Sequence, residues 1–360
     1  MKNEQSVEAG IQPMDVSIRT APDSGGPVSM GNACRRVFRC ERTVRMNRFV
    51  GTNKRSRKTW RKVLSESAPL LLPVAHDALT ARLIELAGYP AYQIGGFALV
   101  GSRFAYPDID LAQFGENSAV MRDTIAASSL PVLVDADDAY GDAKNVTRVV
   151  QGYEAMGASA IFLEDQQAPK RCGHMLGKKV VPAEVHAGKI RAAVAARHDT
   201  ETFIMARTDA LAPLGLNEAL RRAELYLEAG ADGVYIEAVE TAEQLQKVGE
   251  RLRGVPLATS ILEGGGRTPW MDPKELYALG YTMLLYPSTV IFRVTRAIQE
   301  AVADLKAGRP MPAEESVTFG EYEDIVGLPQ WAALEDEFVG RHEHLGVPAP
   351  KANWSPVAGD

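Results

Sequence analysis

Short β-branched and apolar runs alternate with longer amphipathic stretches from about residue 60 onward. Eight runs predict β-strands at residues 70–75, 91–95, 132–137, 160–164, 203–207, 233–237, 257–261 and 282–286. Apolar positions at helical spacing predict helices at residues 78–87, 146–156, 184–196, 216–229, 242–253 and 273–279. Glycine follows several of these helices, as at Gly157 and Gly230, and glycine commonly ends a helix.

Eight strand–helix units in succession predict an α/β protein with a (β/α)8 TIM barrel at residues 61–310. A doubly wound open sheet is the alternative. We favour the barrel because no Gly-x-Gly-x-x-Gly follows an early strand and no Walker loop is present. Beyond the barrel, residues 311–360 are interpreted as a C-terminal helical extension and tail, with helices at 319–326 and 331–345.

Composition narrows the class of protein without changing this picture. The 360 residues are 46% hydrophobic and 24% charged, which is ordinary for a globular protein and excludes disorder throughout the chain. No apolar run is long enough for a transmembrane helix, and no secretory signal is recognisable at the N-terminus. Three cysteines are too few for a disulfide scaffold, so we expect a cytoplasmic protein without a membrane partner.

Charge is distributed unevenly along the chain. Residues 1–62 contain 14 basic and 5 acidic side chains, whereas the remaining residues have a net charge of −15. A basic arm that binds nucleic acid and an organelle-targeting leader are two interpretations of this segment. We favour a third, in which residues 1–60 form a basic, disordered extension with translation starting near Met46, and we expect no nucleic-acid partner.

Carboxylates are concentrated at the predicted strand ends, which meet at one face of a barrel. Asp135 and Asp137 are expected to alternate along one strand and point to the same side, and Glu164 ends the next strand. Packed acids repel one another, and Mg²⁺ prefers oxygen ligands, so the pattern predicts a magnesium site. The alternative is pairing with arginine or helix capping, which we expect for Asp165 and Asp209.

The segment from Lys170 to His174 lies in a polar loop after the fourth strand. A cysteine beside arginine and histidine, as Cys172 is here, is expected to have a lowered thiol pKa and to transfer protons near neutrality. Gly173 and Gly177 suit a mobile lid. A buried structural cysteine is the alternative. After the fifth strand, Arg207 suits carboxylate binding, although it could simply neutralise neighbouring acids.

Several segments resemble the isocitrate lyase/phosphoenolpyruvate mutase superfamily. They are DADDAYGD, LEDQQAPKRCGHMLGKK, IMARTDA, YIEA and EGGGRTPW. The resemblance is greatest to short members of the methylisocitrate lyase, dimethylmalate lyase and petal death protein type. It implies a TIM barrel whose C-terminal helix is swapped between subunits of a homotetramer. It also implies Mg²⁺, with Mn²⁺ as a possible substitute, and a 2-oxo acid product.

The resemblance assigns roles to individual positions. The residues that would hold Mg²⁺, the first directly and the others through water, are Asp135, Asp137, Glu164 and Asp108. The residues that would bind substrate are Gly95, Gly96, Ser260 and Arg207. Cys172 would protonate the departing enolate, and Glu237 and His174 would orient the lid and the substrate.

Three positions depart from the pattern that the family implies. Ile94 stands where serine is usual, and Ser260 stands where asparagine is usual. Both changes are expected to remove or shorten polar groups near the substrate carboxylate. Ala139 follows Asp138 where glycine is commoner, which is expected to shift that loop.

The sequence thus predicts a Mg²⁺-dependent lyase that cleaves a carbon–carbon bond of a 2-hydroxy dicarboxylate, giving a 2-oxo acid and a carboxylic acid. Its partner is a small di- or tricarboxylate substrate, and Tyr92 is a candidate base for the substrate hydroxyl. Oxaloacetate hydrolysis and carboxyphosphonoenolpyruvate-type mutase chemistry are the alternative activities. A non-catalytic binding protein on the same scaffold is the alternative from another class.

Overall fold

The computed structural model describes residues 57–339. The predicted disordered extension as far as residue 56, with Cys34 and Cys40, lies outside the described residues. So does the predicted tail after residue 339. Among the described helices, none is long and apolar enough to span a membrane.

Eight parallel strands form the centre of the structure. They are β1 (Leu70–Pro73), β2 (Tyr92–Ile94), β3 (Val132–Asp135), β4 (Ala160–Glu164), β5 (Phe203–Thr208), β6 (Gly233–Ile236), β7 (Leu257–Ser260) and β8 (Tyr281–Tyr286). Their order is β1-β8-β7-β6-β5-β4-β3-β2. A parallel bridge between Val74 and Gln93 brings β1 next to β2, so the sheet is nearly closed. The predicted TIM barrel is confirmed, and every predicted strand is present.

Helices connect the strands and continue beyond the last one. They are α1 (Trp60–Ser67), α2 (Ala78–Leu86), α3 (Gly96–Phe104), α4 (Phe114–Ala126), α5 (Ala143–Met156), α6 (Ala183–Ala196), α7 (Leu211–Leu214), α8 (Leu216–Glu228), α9 (Ala242–Arg251), α10 (Pro273–Ala278), α11 (Thr289–Lys306), α12 (Phe319–Val326) and α13 (Leu328–Val339). The six predicted inter-strand helices are confirmed. Five described helices were not predicted from the sequence: α1, α3, α4, α7 and α11.

Strand side chains alternate between two cores, as the pleat requires. An inner core fills the barrel, with Leu72, Leu133 and Met205 among its members, and Trp60 of α1 packs against it. The other side chains of the strands pack against the surrounding helices in the larger outer core. Because Trp60 is fully buried with residues from the beginnings of strands, α1 closes the N-terminal end of the barrel.

Candidate active site

A cavity lies at the C-terminal ends of the strands, where the sequence predicted the site. Of the twelve predicted site residues, nine line it: Gly95, Gly96, Asp108, Asp135, Cys172, His174, Arg207, Glu237 and Ser260. Its volume is about 70 Å³, which is room for about two water molecules.

Four buried acids surround one side of this cavity: Asp108, Asp135, Asp137 and Glu164. Asp135 ends β3, and its carboxylate accepts hydrogen bonds from the amides of Gly96 (3.1 Å) and Asp137 (3.0 Å). Burial, and then the charge of Asp137, raise the pKa of Asp135 to about 6. Burial also raises the pKa of Asp108 and of Glu164.

The local structure that places Asp137 at the site differs from the predicted strand. β3 ends at Asp135, so the two acids do not alternate along one strand. Asp137 lies in a turn and has a φ of +50°, in the left-handed region. The expectation of a shared strand face was wrong, although Oδ1 of Asp137 and Oδ2 of Asp135 both lie close to Gly96.

Lys170 is a site residue to which the sequence analysis gave no role. Its Nζ lies 2.5 Å from Oδ1 of Asp108 and also contacts Oδ1 of Asp137. Burial alone would lower its pKa, but the surrounding acids raise it well above the ordinary value, so the group is charged. Lys170 is the first residue of the Lys170–His174 segment that the sequence already singled out, and this position could have identified it as a site residue.

Arg207 contacts Glu164 and Asp209 at the cavity, and His174 contacts Glu237. Nη2 of Arg207 lies 3.2 Å from Glu164, and its Nε donates to Asp209 at 2.9 Å. Nε2 of His174 lies 3.2 Å from Oε1 of Glu237. The amide of Arg267 donates to Nδ1 of His174, so the ring proton is assigned to Nε2, towards Glu237.

Asp165 and Asp209 have the paired environments expected of structural acids. Asp165 accepts hydrogen bonds from the hydroxyls of Thr208 (2.7 Å) and Tyr226 (2.9 Å) and contacts Arg222 at 3.0 Å. Asp209 is held between Arg207 and Lys178, with Lys178 Nζ at 2.8 Å. Both acids therefore have partners within the protein.

The loop that carries Cys172 is closed over the cavity. The amide of Cys172 donates to the carbonyl of Asp108 at 2.9 Å. A Cβ on Gly173 would lie 2.2 Å from Oε1 of Glu237 and 2.4 Å from Nη2 of Arg207, so only glycine fits this closed position. Lys178 donates to the carbonyl of Gly173, which ties the far end of the loop to the site.

The thiol of Cys172 does not have the lowered pKa that its neighbours in sequence suggested. Burial, and then the charge of Asp108, raise the pKa of Cys172 to about 11. The effect of Arg207 opposes this but is smaller. The earlier expectation was wrong because burial and the nearby acids outweigh the cations. The thiol is protonated at neutral pH and suits proton donation rather than proton abstraction.

Tyr92 and Ile94 do not face the cavity. The hydroxyl of Tyr92 donates to the carbonyl of Thr124 on α4 at 3.4 Å, and burial raises its pKa. Ile94 belongs to the outer core, and Gln93 between them lines the cavity instead. Tyr92 is therefore excluded as the base for the substrate hydroxyl. The replacement of serine by Ile94 removes no polar group from the cavity.

Ser260 lies at the cavity as predicted, and it has an unpredicted partner. Its hydroxyl and that of Tyr235 are hydrogen-bonded, and both residues line the cavity. Tyr235 is buried between the ring of Phe162, edge-on at 5.9 Å, and the guanidinium of Arg207 at 5.4 Å. The sequence offered no signal for this pair, because the residues stand on different strands.

Known proteins with similar sequences belong to the superfamily that the sequence motifs resemble. The sequence profile of the phosphoenolpyruvate phosphomutase family matches residues 60–306. The chain is 39% identical over 280 residues to 2,3-dimethylmalate lyase of Eubacterium barkeri, covering 77% of this chain and 96% of that protein. It is 36% identical over 312 residues to the chloroplastic carboxyvinyl-carboxyphosphonate phosphorylmutase of Arabidopsis thaliana, covering 85% and 91%.

A solved structure with a bound ligand is also similar. Phosphonopyruvate hydrolase in complex with oxalate and Mg²⁺ superposes with a TM-score of 0.70 at 31% identity, covering 78% of this chain and 97% of that one. The profile match, the identities and the barrel agree with the resemblance carried by the sequence motifs. The chain belongs to the phosphoenolpyruvate phosphomutase family, within the isocitrate lyase/phosphoenolpyruvate mutase superfamily.

Proposed function

We propose that this protein is a Mg²⁺-dependent lyase that cleaves the carbon–carbon bond of a 2-hydroxy dicarboxylate of the alkylmalate or methylisocitrate type. The products are a 2-oxo acid and a carboxylic acid. The observation that carries the proposal is the protonated thiol of Cys172 in one closed cavity with Asp108, Asp135 and Arg207. The likeness to a dimethylmalate lyase supports it.

The acids of the site fit a hard divalent cation. Oε1 of Glu164 is buried and has no hydrogen-bond partner among the described residues. Within residues 57–339 no three acidic, histidine or cysteine side chains converge closely enough to ligate one ion together. This suits Mg²⁺, which commonly takes one or two carboxylates and keeps several waters. Asp135 would bind it directly, and Asp108, Asp137 and Glu164 would hold its waters.

The metal, when bound, would stabilise the negative charge on the C2 oxygen of the substrate as its hydroxyl loses the proton. Arg207 binds a carboxylate of the substrate. Its contacts with Asp209 and Glu164 use Nε and Nη2, so Nη1 takes no part in them, and Arg207 lines the cavity. His174 and Glu237 hold the closed loop in position over the bound substrate.

The reaction breaks the bond between C2 and C3. Its electron pair moves to C3, giving an enolate stabilised by the adjacent carboxylate, while the C2 hydroxyl loses its proton and becomes the carbonyl. Cys172 donates the proton that C3 requires, which its raised pKa permits at neutral pH. The hydroxyl proton passes to the carboxylate cluster, since Tyr92 points away from the cavity.

The test is an assay for released pyruvate, glyoxylate or oxalate. We expect release from one or more of dimethylmalate, other alkylmalates and methylisocitrate with Mg²⁺, and none with chelator; oxaloacetate is included to detect the rival hydrolase activity. Cys172→Ser should lower kcat by at least about 100-fold, whereas Cys34→Ser should not change it. The proposal fails if no substrate is cleaved, or if Cys172→Ser retains full activity on the substrate found.

Two other activities would use the same cavity. Hydrolysis of oxaloacetate would give oxalate in the assay above. A phosphonomutase is favoured by the likeness to the Arabidopsis thaliana enzyme, and phosphorus NMR of a carboxyphosphonoenolpyruvate reaction would detect it. A protein that binds Mg²⁺ but converts none of these compounds would instead be a binding protein on this scaffold.

The C-terminal helices support assembly into a homotetramer with swapped helices. Neither α11 nor α12 has a buried residue in the single chain, and Leu305 and Phe319 are 76% and 83% exposed. Exposed apolar faces of this kind mark interaction surfaces. Light scattering coupled to size exclusion should give the mass of four chains, and Leu305→Asp should lower it. A monomeric wild-type protein would contradict the proposal.

A further inference from the structure

The cavity has a second side, formed by the last three strands of the barrel. Because the strands follow one another around a nearly closed ring, β7 lies across the barrel from β3 and β8 lies across from β4. The side chains that line the cavity here are Tyr235, Ser260, Leu262, Ser288 and Phe292. This group, the β6–β8 wall, lies opposite the carboxylates that end β3 and β4.

Three hydroxyls of the β6–β8 wall are buried. Those of Tyr235 and Ser260 are hydrogen-bonded to each other. Ser288 is 1% exposed, and its Oγ has no hydrogen-bond partner within the described part of the chain. Ser288 is the N-cap of α11, yet its side chain does not accept from the helix amides as an N-cap serine usually does. A buried hydroxyl without a partner is costly, which points to a ligand oxygen.

These hydroxyls are neutral donors. Burial, and then the charge of Glu237, raise the pKa of Tyr235 well above 10, so the phenol keeps its proton. Glu237, which follows β6 and lines the same cavity, is the charged neighbour of these hydroxyls and already contacts His174 and Arg207. Among residues 57–339, the permanent cation that lines the cavity is Arg207, and it already contacts Glu164 and Asp209. A fragment with two carboxylates would leave one without a cation in a largely apolar space, which is unfavourable.

Apolar side chains adjoin these hydroxyls in the cavity lining. The rings of Phe97 and Phe292 meet edge-to-face with centroids 6.0 Å apart, and both line the cavity. Leu262 lines it as well. Apolar side chains around a few fixed polar groups are typical of a pocket for a small ligand with an alkyl part. The arrangement therefore matches one carboxylate together with an alkyl substituent.

We propose that the hydroxyls of Tyr235, Ser260 and Ser288 bind the carboxylate of the fragment that leaves with C3, and that this fragment is a monocarboxylate with a short alkyl group. The inference rests on the proposed lyase function. It makes Tyr235 and Ser288 specificity-determining residues. It selects alkylmalates, which release a monocarboxylate, over methylisocitrate, which releases a dicarboxylate.

The test measures the binding of each of the two products separately, the 2-oxo acid and the carboxylic acid, by ligand-observed NMR with Mg²⁺ present. Oxalate serves as the probe for the 2-oxo acid half, and propionate or succinate, added with oxalate, serves as the probe for the other half. The variants are Tyr235→Phe and Ser288→Ala, each of which removes only a hydroxyl. Tyr281→Phe is the matched control, because this buried tyrosine of β8 donates to Leu245 on the helical side.

We expect the wild-type protein to bind propionate more tightly than succinate. Each variant should weaken propionate binding about tenfold or more and leave oxalate binding unchanged, and the control should change neither. Unchanged propionate binding in both variants would overturn the proposal, as would an equal loss for oxalate. Tighter binding of succinate than of propionate would overturn the monocarboxylate assignment.

These titrations measure binding without turnover, so a negative result here can be distinguished from a negative result in the lyase assay. If no substrate is cleaved but the variants lose propionate alone, the lyase proposal fails and the binding site stands. If alkylmalates are cleaved and the variants bind propionate normally, the lyase proposal stands and the hydroxyl site is wrong.

Discussion

Tyr140 donates a hydrogen bond of 2.8 Å from its hydroxyl to Oδ2 of Asp137. The same hydroxyl accepts from Nδ2 of Asn117 at 3.0 Å, and the carbonyl of Tyr140 accepts from Asn145 at 2.8 Å. Lys189 donates to the carbonyl of Asp138 at 2.7 Å. Asp137 is therefore held at the site by a turn with contacts to α4, α5 and α6, rather than by the strand that precedes it.

Replacing Tyr140 with phenylalanine should weaken metal binding. The loss of its hydrogen bond leaves the carboxylate of Asp137 with the contact to Lys170 but without its partner at Oδ2. Removing a group that orients a metal-site carboxylate typically costs about tenfold or more in affinity. Mn²⁺ titration followed by electron paramagnetic resonance measures this without turnover. Tyr153→Phe is the control, since that hydroxyl lies 3.3 Å from Tyr140. Equal losses in both variants would argue against a specific role for Tyr140.

Gly173→Ala should prevent closure of the loop. The added Cβ would lie 2.2 Å from Glu237 and 2.4 Å from Arg207, both of which are fixed by other contacts. Displacing the loop moves Cys172 as well, and we expect kcat/KM to fall about 100-fold. Gly188→Ala is the control, because its Cβ would have only an ordinary contact at 3.7 Å. Normal kinetics for Gly173→Ala would show that the closed position is not required.

Alkylation of Cys172 should be slow at neutral pH. The thiolate is the reactive form, and with a pKa of about 11 its fraction rises about tenfold per pH unit until pH approaches that value. The measurement is the rate of iodoacetamide labelling from pH 7 to 10.5 in a Cys34→Ser, Cys40→Ser background, with glutathione as the reference thiol. A rate that levels off below pH 9 would contradict the raised pKa.

His186 should make the protein less stable in acid. It is fully buried, and burial, followed by the charges of Lys189 and Arg222, lowers its pKa to about 3. Between pH 3 and about 6.5, its usual pKa, the unfolded chain binds a proton that the folded chain does not. Stability therefore falls as pH falls, by about 1.4 kcal/mol per unit from this group, and this loss is absent above pH 6.5.

Urea unfolding at pH 7 and pH 5 measures this effect. The wild-type protein should lose about 2 kcal/mol more than His186→Leu over this interval. His198→Leu is the control, since the side chain of His198 is 74% exposed. Parallel losses in the wild-type protein and His186→Leu would contradict a buried neutral histidine.

Ala139→Gly should stabilise the fold. Ala139 has a φ of +66°, a conformation that costs an alanine about 1 kcal/mol and a glycine almost nothing. The residue is buried, so part of this gain is offset by the lost methyl group. Thermal unfolding should show a higher Tm for Ala139→Gly and a lower one for Ala136→Gly, a buried alanine without a positive φ. A lower Tm in both variants would refute the interpretation.

Local pattern was sufficient for most of the barrel. Each strand is a short apolar run, and each confirmed inter-strand helix has one apolar face. α3 was missed because it begins at Gly96, directly after β2, and contains a second glycine, Gly101. α4 was missed because polar and apolar residues are mixed around it. In both helices, packing against the barrel outweighs a weak local signal.

The sequence by itself determined that the acids at the strand ends, Cys172 and Arg207 would meet, because the C-terminal ends of parallel strands in a barrel share one face. Only the tertiary structure decided what these groups do to one another. Burial decides the pKa of Cys172, and strand register turns Tyr92 outward and Gln93 inward. The contacts of Lys170 and the Tyr235–Ser260 pair join distant segments, so no local pattern contains them.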